Sequence, residues 1–281
     1  MTTCNEPVPR FASIINADIE INKSTNNNYE IIFNNSIISL YQVYSDDFTD
    51  LNSQISIFNY TEEEWIKLFD LNDVNPTSIL FIKDKKYAYT IEKVDYKNNK
   101  MIWFVSTNII VNYSIDVSTC IVPGKYENVR INVNNLTPII NPCLSLSQVP
   151  KFNQLVKGVI QTTKLSDYTF KINFLKSSVF TLYQVRKDIN DTTRIIRNFT
   201  QIDWINAFYL NQPFKPTAIM ENEHKKYVFI IESVGIENNN LIWIVRTIQI
   251  LNLSTTINTL ENDLFGTFSF VIDFVVESLY K

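Results

Sequence analysis

Histidine carries much of the acid–base chemistry of proteins, and this chain of 281 residues contains only one, His224. A Ser-His-Asp or Cys-His site would depend on this side chain alone. His224 precedes Lys225 and Lys226 in a stretch typical of a turn between strands. We therefore predict an exposed turn histidine and no catalytic residue at this position.

Paired carboxylates are the other route to catalysis, because a glycosidase needs only two of them. Glu62–Glu64 lie in the first turn of a predicted helix, where negative charge interacts favourably with the helix dipole. Glu92 and Glu232 lie between apolar residues of predicted strands. Each is either a partly buried acid with a raised pKa or a carboxylate paired with a neighbouring lysine. The pairing is favoured, so the sequence predicts no enzyme.

Metal and phosphate sites need residue spacings that are missing here. Zinc sites need several Cys or His at short intervals, and phosphate-cradling loops need clustered glycines. An odd number of cysteines without a signal peptide argues against a disulfide framework and predicts free thiols. We predict no metal-binding residues, no cofactor-binding residues and no cofactors. The residues concerned are Cys4, Cys120, Cys143, Gly124, Gly158, Gly235 and Gly266.

Composition narrows the classes of partner. With 45% apolar residues the chain can bury a core, and its formal net charge is −4. No basic stretch is suited to neutralising phosphates, so we predict no nucleic-acid partner. The first residues lack a charged segment followed by an apolar one, and no run of about 18 apolar residues occurs. Neither a signal peptide nor a membrane span is predicted.

Charge is distributed unevenly along the chain. Residues 1–148 hold 11 Lys and Arg against 17 Asp and Glu, whereas residues 149–281 hold 14 against 12. An acidic half and a mildly basic half would favour head-to-tail contacts between molecules. The simpler explanation is that the charges of solvent-exposed residues vary between the two halves without functional consequence.

The chain repeats itself with an offset of 139 to 142 residues. Insertions fall only where loops are expected, which is typical of two copies of one fold. We predict two homologous domains, residues 1–145 and 146–281, joined by the polar segment 141–148. The matching pairs include Leu40–Val43 with Leu182–Val185, Trp65–Ile66 with Trp204–Ile205, Lys85–Tyr87 with Lys225–Tyr227, and Ile102–Trp103 with Ile242–Trp243.

One helix of two to three turns is predicted in each copy. Thr61 is a good N-cap, and Glu64 three residues later completes a capping box. Trp65 and Phe69 then form an apolar stripe. The second copy repeats this device with Thr200, Asp203, Trp204 and Phe208, and prolines follow both helices.

Strands make up most of the rest. Residues 13–21, 29–33 and 37–44 precede the helix, and alternating apolar residues follow it. Asn98-Asn99 and Asn238-Asn239 predict turns, because Asn tolerates left-handed backbone geometry. Met101–Val105 is apolar at every position, which predicts a strand buried on both faces. The predicted fold is mainly β with an α+β tendency: two tandem β-sandwich or barrel-like domains, each with one short amphipathic helix.

The excess of Asn and Ile and the shortage of Ala and Gly resemble the composition of proteins of large AT-rich DNA viruses of protists. The recurring block Asn-x-Thr, Trp-Ile, Phe, Pro-Thr, Lys-Lys-Tyr is also similar to duplicated modules in uncharacterised structural-type proteins of these viruses. The resemblance implies a non-enzymatic virion component, capsid-associated or in a fibre, with other structural proteins or copies of itself as partners. Outside a virus, a cytoplasmic location is expected.

The alternative function is a tandem module that binds a protein or a carbohydrate, since two equivalent sites raise avidity. Tyr41-Gln42 and Tyr183-Gln184 recur and would form one such site in each copy. A buried tyrosine with a hydrogen-bonded hydroxyl is the competing explanation. All four tryptophans lie on stripes that predict core packing.

Overall fold

The computed structural model describes residues 10–43, 54–70, 75–134, 151–175, 179–185, 194–210, 215–222, 224–247, 249–253 and 257–274. Both copies consist mainly of strands with one helix each, which confirms the predicted fold class. The predicted boundary at residues 145 and 146 and the linker 141–148 lie outside the described residues.

Within its described residues, the first copy contains nine strands and one helix. In chain order they are β1 (Arg10–Lys23), β2 (Asn28–Val43), β3 (Gln54–Tyr60), α1 (Glu62–Asp70), β4 (Thr77–Ile82), β5 (Lys85–Lys97), β6 (Lys100–Ser106), β7 (Ile110–Asn112), β8 (Val117–Ser118) and β9 (Gly124–Asn134).

The second copy follows the same course, with β11 and β12 in the place of the single strand β2 and no described strand in the place of β8. Its elements are β10 (Lys151–Lys164), β11 (Thr169–Phe174), β12 (Val179–Val185), β13 (Arg194–Phe199), α2 (Gln201–Leu210), β14 (Thr217–Glu221), β15 (Lys226–Glu237), β16 (Asn240–Thr247), β17 (Gln249–Leu253) and β18 (Phe265–Phe274).

Each copy closes into a six-stranded antiparallel barrel. In the first, the order is β1-β9-β4-β5-β6-β2, and β2 pairs back with β1. In the second, the order is β11-β16-β15-β14-β18-β10, and β10 pairs back with β11. Closure leaves no unpaired edge within the ring. Of the two predicted forms, sandwich and barrel, the described strands build the barrel.

A tryptophan pair fills each barrel beneath its helix. Trp103 from β6 stacks on Trp65 from α1 at 4.8 Å between ring centroids. In the second copy, Trp243 and Trp204 stack at 5.0 Å. All four rings are fully buried, which confirms the predicted core packing. Aromatic pairs at these separations contribute beyond the area they bury.

The capping boxes form as predicted. The backbone N–H of Thr61 donates to Glu64 Oε2 at 2.9 Å, and the N–H of Glu64 donates to Thr61 Oγ1 at 3.2 Å. Thr200 and Asp203 make the same pair of bonds at 3.2 and 3.1 Å. Each cap satisfies two backbone donors that the first helical turn leaves open. Among the described residues, no helix is both long and apolar enough to cross a membrane.

The asparagine turns also form as predicted. Asn98 and Asn99 have φ values of 53° and 58°, and Asn238 and Asn239 have 51° and 63°. These left-handed residues join β5 to β6 and β15 to β16. Asn adopts this conformation more readily than most residues, which explains the pair at the same place in both copies.

Two predictions about individual strands are wrong. Residues 29–33 and 37–44 were expected as separate strands, but β2 is continuous because it pairs with β1 along its whole length. Met101–Val105 was expected to be buried on both faces, but β6 alternates buried and half-buried residues, as a barrel wall does. Among the strands whose burial the structure describes, β4 and β14 are buried on both faces along almost their whole length, because they lie where the two barrels meet.

The two barrels are joined by a reciprocal exchange of strands. β7 of the first copy pairs in parallel with β13 of the second, and β17 of the second pairs in parallel with β3 of the first. The registers are equivalent where Val111 lies opposite Ile195 and Leu251 lies opposite Ser56, and the register of β17 shifts after Leu251. The exchange follows the approximate twofold symmetry expected of a duplicated, self-complementary pair.

An apolar cluster shared by both copies lies between the barrels. Outward-facing residues of β4, β5, β14 and β15 form most of it, while their neighbours along each strand face the barrel interiors. This shared burial extends the hydrophobic core across the junction. Its buried members are Ile14, Ile79, Ala88, Val117, Ile196, Ile219, Val228, Ile230 and Val271.

Candidate functional site

His224 lies in the turn between β14 and β15 and is exposed, as predicted. Its backbone N–H donates to Asn222 Oδ1 at 3.0 Å, and the N–H of Lys225 donates to the same oxygen at 2.8 Å. Asn222 therefore fixes the turn through its own side chain, a common use of Asn in turns. The imidazole lines a cleft between the barrels.

Glu232 is a paired carboxylate. It contacts Lys215, and it accepts a hydrogen bond from Arg246 Nε at 2.7 Å. Burial by itself raises the pKa of Glu232, but the bonds from Lys215 and Arg246 outweigh it and hold the pKa below its ordinary value. This is opposite to the raised pKa that a general acid would require.

Glu92, the equivalent residue of the first copy, is exposed and has neutral partners. Thr90 Oγ1 donates to it at 2.7 Å, and Asn75 Nδ2 donates at 2.6 Å. The two glutamates therefore lie at equivalent places with different surroundings. Neither approaches the other, since each sits on the wall of its own barrel.

Glu62 fastens the helix to the barrel wall. Its carboxylate accepts hydrogen bonds from Ser36 Oγ at 2.6 Å and from the backbone N–H of Met101 at 3.0 Å. Glu64 caps the helix, and the hydrogen bonds from Thr61 hold the pKa of its carboxyl below the ordinary value. These contacts account for two of the three clustered carboxylates as structural groups.

A polar network joins the barrels beside the exchanged strand β7. Lys86 Nζ donates to Asp116 at 2.6 Å, and Ser114 Oγ contacts both Asp116 and Asn198 of the other copy. Burial raises the pKa of Asp116, but the bonds from Lys86 and Ser114 outweigh it and leave the pKa below its ordinary value. The carboxylate therefore stays ionised and keeps this contact between the copies at neutral pH.

A cleft of about 1100 Å³ opens between the barrels, and both copies line it. This volume lies slightly above the range of about 300–1,000 Å³ that is usual for ligand sites. The first copy supplies Asn16, Ala17, Asp18, Asn35, Ile37, Asn128 and Arg130, and the second supplies Lys157, Glu221, Asn222, His224, Lys225, Lys226, Thr267 and Ser269.

A β-bulge shapes the wall contributed by the first copy. The register between β1 and β9 shifts at Asp18, so that Ala17 pairs with Val129 while Ile19 pairs with Tyr126. Asn128 takes up the extra length with a φ of 53°, and its backbone N–H donates to Asp18 Oδ1 at 2.9 Å. Bulges re-aim side chains in this way. The corresponding strands β10 and β18 pair without a shift.

The wall contributed by the second copy is built around Glu221. Arg130 reaches across from the first copy to contact one carboxylate oxygen, and Lys226 lies 3.4 Å from the other. Arg130 is itself held by Asn132, whose Oδ1 accepts from its Nε at 3.0 Å. Glu221 is thus neutralised by two cations and ties the copies together at the floor of the cleft.

Cys120 is an exposed free thiol, as predicted, while Cys4 and Cys143 lie outside the described residues. No group of three or more His, Cys, Asp and Glu in the described ranges is arranged to hold a metal ion. Tyr41-Gln42 and Tyr183-Gln184 lie on β2 and β12, but their side chains fall outside what the structure describes.

Sequence reasoning missed most of the residues of the cleft. Asn16 and Lys157 occupy equivalent positions on β1 and β10, and Arg130 and Ser269 occupy equivalent positions on β9 and β18. The signal that could have indicated the cleft was the difference between the two copies at these positions. The repeat itself was recognised from the positions at which the copies agree. A position-by-position comparison would have marked these sites as places where the copies diverge.

No protein-family model, curated protein or solved structure matches this chain. The class of protein is therefore described from the fold and the cleft. The chain is a duplicated β-barrel protein in which two closed six-stranded barrels exchange strands and share a polar cleft.

Proposed function

We propose that this chain is a non-enzymatic structural or assembly protein, and that it is a virion component, capsid-associated or in a fibre. The observation that carries the proposal is the reciprocal strand exchange between the barrels. The exchange joins the two domains into one rigid unit, which suits a protein that must resist mechanical force in an assembly.

The junction between the barrels supports this role energetically. Ile79, Ile219 and Ile230 are almost fully buried there, and burying such a side chain contributes about 1.5–3 kcal/mol. One barrel cannot leave the other without exposing these residues and breaking two parallel strand pairings. Slow separation of domains is an advantage in a particle that must persist outside a cell.

The sheets also offer places for partners. Following the strand order, one extended sheet ends at β17 and the other at β7, and each terminal strand is donated by the opposite copy. Terminal strands are templates for pairing with further strands. Self-association or contact with a shell protein along these edges fits the proposed role.

Cross-linking mass spectrometry on purified particles from the native source tests the proposal. We expect stoichiometric recovery of this chain with cross-links from its lysines to a shell protein. Recovery in the soluble fraction alone, with no peptide in particles, would contradict a virion role. A bulk cytoplasmic protein of similar abundance serves as the control for contamination.

A binding module remains the second candidate function, and the cleft between the barrels is the observation that favours it. The tandem version of this hypothesis expects one equivalent site in each copy. The cleft is instead a single site to which both copies contribute different residues. Binding there would not depend on avidity between two sites.

A further inference from the structure

We propose that the cleft between the barrels binds an acidic oligosaccharide, with its hydroxyl groups on the asparagine wall of the first copy and its carboxylate or sulfate groups at Lys157 and Lys225. This inference rests on the second candidate function and is independent of the assembly role.

The first wall suits a ligand rich in hydroxyl groups. Asn16, Asn35 and Asn128 are exposed on it, and the side chains of Asn16 and Asn35 make no hydrogen bond to other residues that the structure describes. A side-chain amide both donates and accepts, as a sugar hydroxyl does. Thr267 and Ser269 add hydroxyl groups on the other side.

The second wall supplies accessible positive charge. Lys157 is exposed, and no carboxylate of the described ranges lies within ion-pair distance of it. Lys225 pairs with Glu261 at 2.9 Å, but that glutamate is half exposed, so the pair exchanges readily for another anion. The cleft carries four Arg and Lys against two Asp and Glu, which leaves it positive.

The two carboxylates of the cleft decide between classes of anion. Glu221 is neutralised by Arg130 and Lys226, and Asp18 accepts the backbone N–H of Asn128. Their remaining lone pairs can accept hydrogen bonds from hydroxyl groups, and they repel any anionic group that is placed against them. A ligand that places free hydroxyl groups against these carboxylates and its anionic groups at Lys157 and Lys225 therefore fits, whereas a nucleic acid carries a phosphate on every unit and few free hydroxyl groups to place there.

The site is held on rigid elements. Asn16, Arg130, Lys157 and Ser269 all project from barrel strands, and the turn that carries Lys225 is fixed by Asn222. Binding groups on strands keep their geometry better than groups on loops and lose less entropy when a ligand binds.

The test is calorimetric titration of the full chain with three hexasaccharides: heparin-derived, which carries sulfates, oligogalacturonate, which carries carboxylates, and maltohexaose, which is neutral. We expect one molecule of acidic sugar to bind per chain, with an affinity that falls as salt is added. The affinity for maltohexaose should be at least about tenfold lower. Binding of either acidic sugar alone supports the inference and tells which anion is preferred.

Three results would overturn it: no binding of either acidic sugar, equal binding of maltohexaose, or tighter binding of a single-stranded hexanucleotide than of both acidic sugars. Detection of the chain in particles is unaffected by these results, so failure of the inference and failure of the assembly role are separate.

Variants locate the site. We expect Lys157→Glu and Lys225→Glu each to lower the affinity for the acidic sugar about tenfold or more, because repulsion replaces a charge-assisted hydrogen bond. Asn16→Asp keeps the shape of the side chain, and we expect it to lower the affinity for the acidic sugar as well.

The matched control is Lys85→Glu. Lys85, the first residue of β5 and the counterpart of Lys225, is exposed and does not line the cleft. We expect its effect on binding to stay within about twofold. Equal losses in Lys85→Glu and Lys157→Glu would show general attraction to a charged surface and would refute a site in the cleft. Unchanged melting temperatures confirm that each variant is folded.

Discussion

Tyr89 shows at the residue scale how the copies have diverged inside their barrels. The side chain is fully buried, and no described atom accepts a hydrogen bond from its hydroxyl. Burial also raises its pKa, so the phenol stays neutral. At the equivalent position of the second copy, Phe229 fills the same space without the hydroxyl.

We expect Tyr89→Phe to increase the free energy of unfolding by about 1 kcal/mol, because it removes a buried polar group without a partner. Urea denaturation of the full chain measures it. Tyr126→Phe is the control, since its hydroxyl donates to the carbonyl of Val122 at 3.0 Å and its loss should not stabilise. A Tyr89→Phe variant less stable than the native chain would reveal a hydrogen bond that the structure does not show.

Glu232 provides a second residue-scale prediction. Its side chain is 19% exposed and lies between Lys215 and Arg246. We expect Glu232→Gln to lower the free energy of unfolding by about 1–3 kcal/mol at neutral pH, because two cations lose their shared anion. Glu92→Gln is the control, and with neutral partners it should cost less than about 1 kcal/mol.

The pH dependence of that effect has a definite sign. The folded pKa of Glu232 lies below its ordinary value of 4.5, so ionisation favours the folded state. Its contribution is fully present above pH 4.5 and is lost as the pH falls through the lowered folded pKa. Native chain and Glu232→Gln should therefore converge in stability at low pH. A difference that grows on acidification would contradict the lowered pKa.

The helices are the elements whose local stability can be measured most directly. Thr61 and Thr200 each cap a short helix through the same two bonds. We expect Thr61→Ala to cost about 1 kcal/mol of stability, because the backbone N–H of Glu64 loses its acceptor and Glu64 Oε2 loses the hydroxyl that donates to it. Thr61→Ser keeps the hydroxyl and is the control. Equal losses for Ala and Ser would show that the methyl group, rather than the cap, matters.

At the scale of the whole molecule, the junction predicts one cooperative unfolding transition. The exchanged strands and the shared apolar cluster make each barrel part of the other's packing. Differential scanning calorimetry of the full chain should therefore give a single transition with equal calorimetric and van't Hoff enthalpies. Two well-separated transitions in the native chain would show that the barrels unfold independently.

Ile219→Asp is the variant that should separate the barrels. It places a charge in the shared cluster, where Ile219 is 5% exposed, and we expect a lower melting temperature and two resolved transitions. Ile236→Asp is the control, because Ile236 is 50% exposed on the second barrel away from the shared cluster. It should leave a single transition.

The amino-acid sequence by itself determined the features that depend on neighbouring residues. The duplication, both capping boxes, the asparagine turns and the buried tryptophans could all be predicted, because caps, turns and apolar periodicity act over a few residues. Burial of β4 on both faces could not be predicted, since it results from contact with β14 of the other copy.

Tertiary structure alone decided how the strands are paired. Each barrel depends on pairings between strands that are far apart in the chain, such as β1 with β9 and β10 with β18, and no local pattern specifies such pairings. The exchange of β7 and β17 and the cleft between the copies depend on packing one barrel against the other. Lys157 and Arg130 are isolated cations in the sequence, and only the fold brings them to one surface.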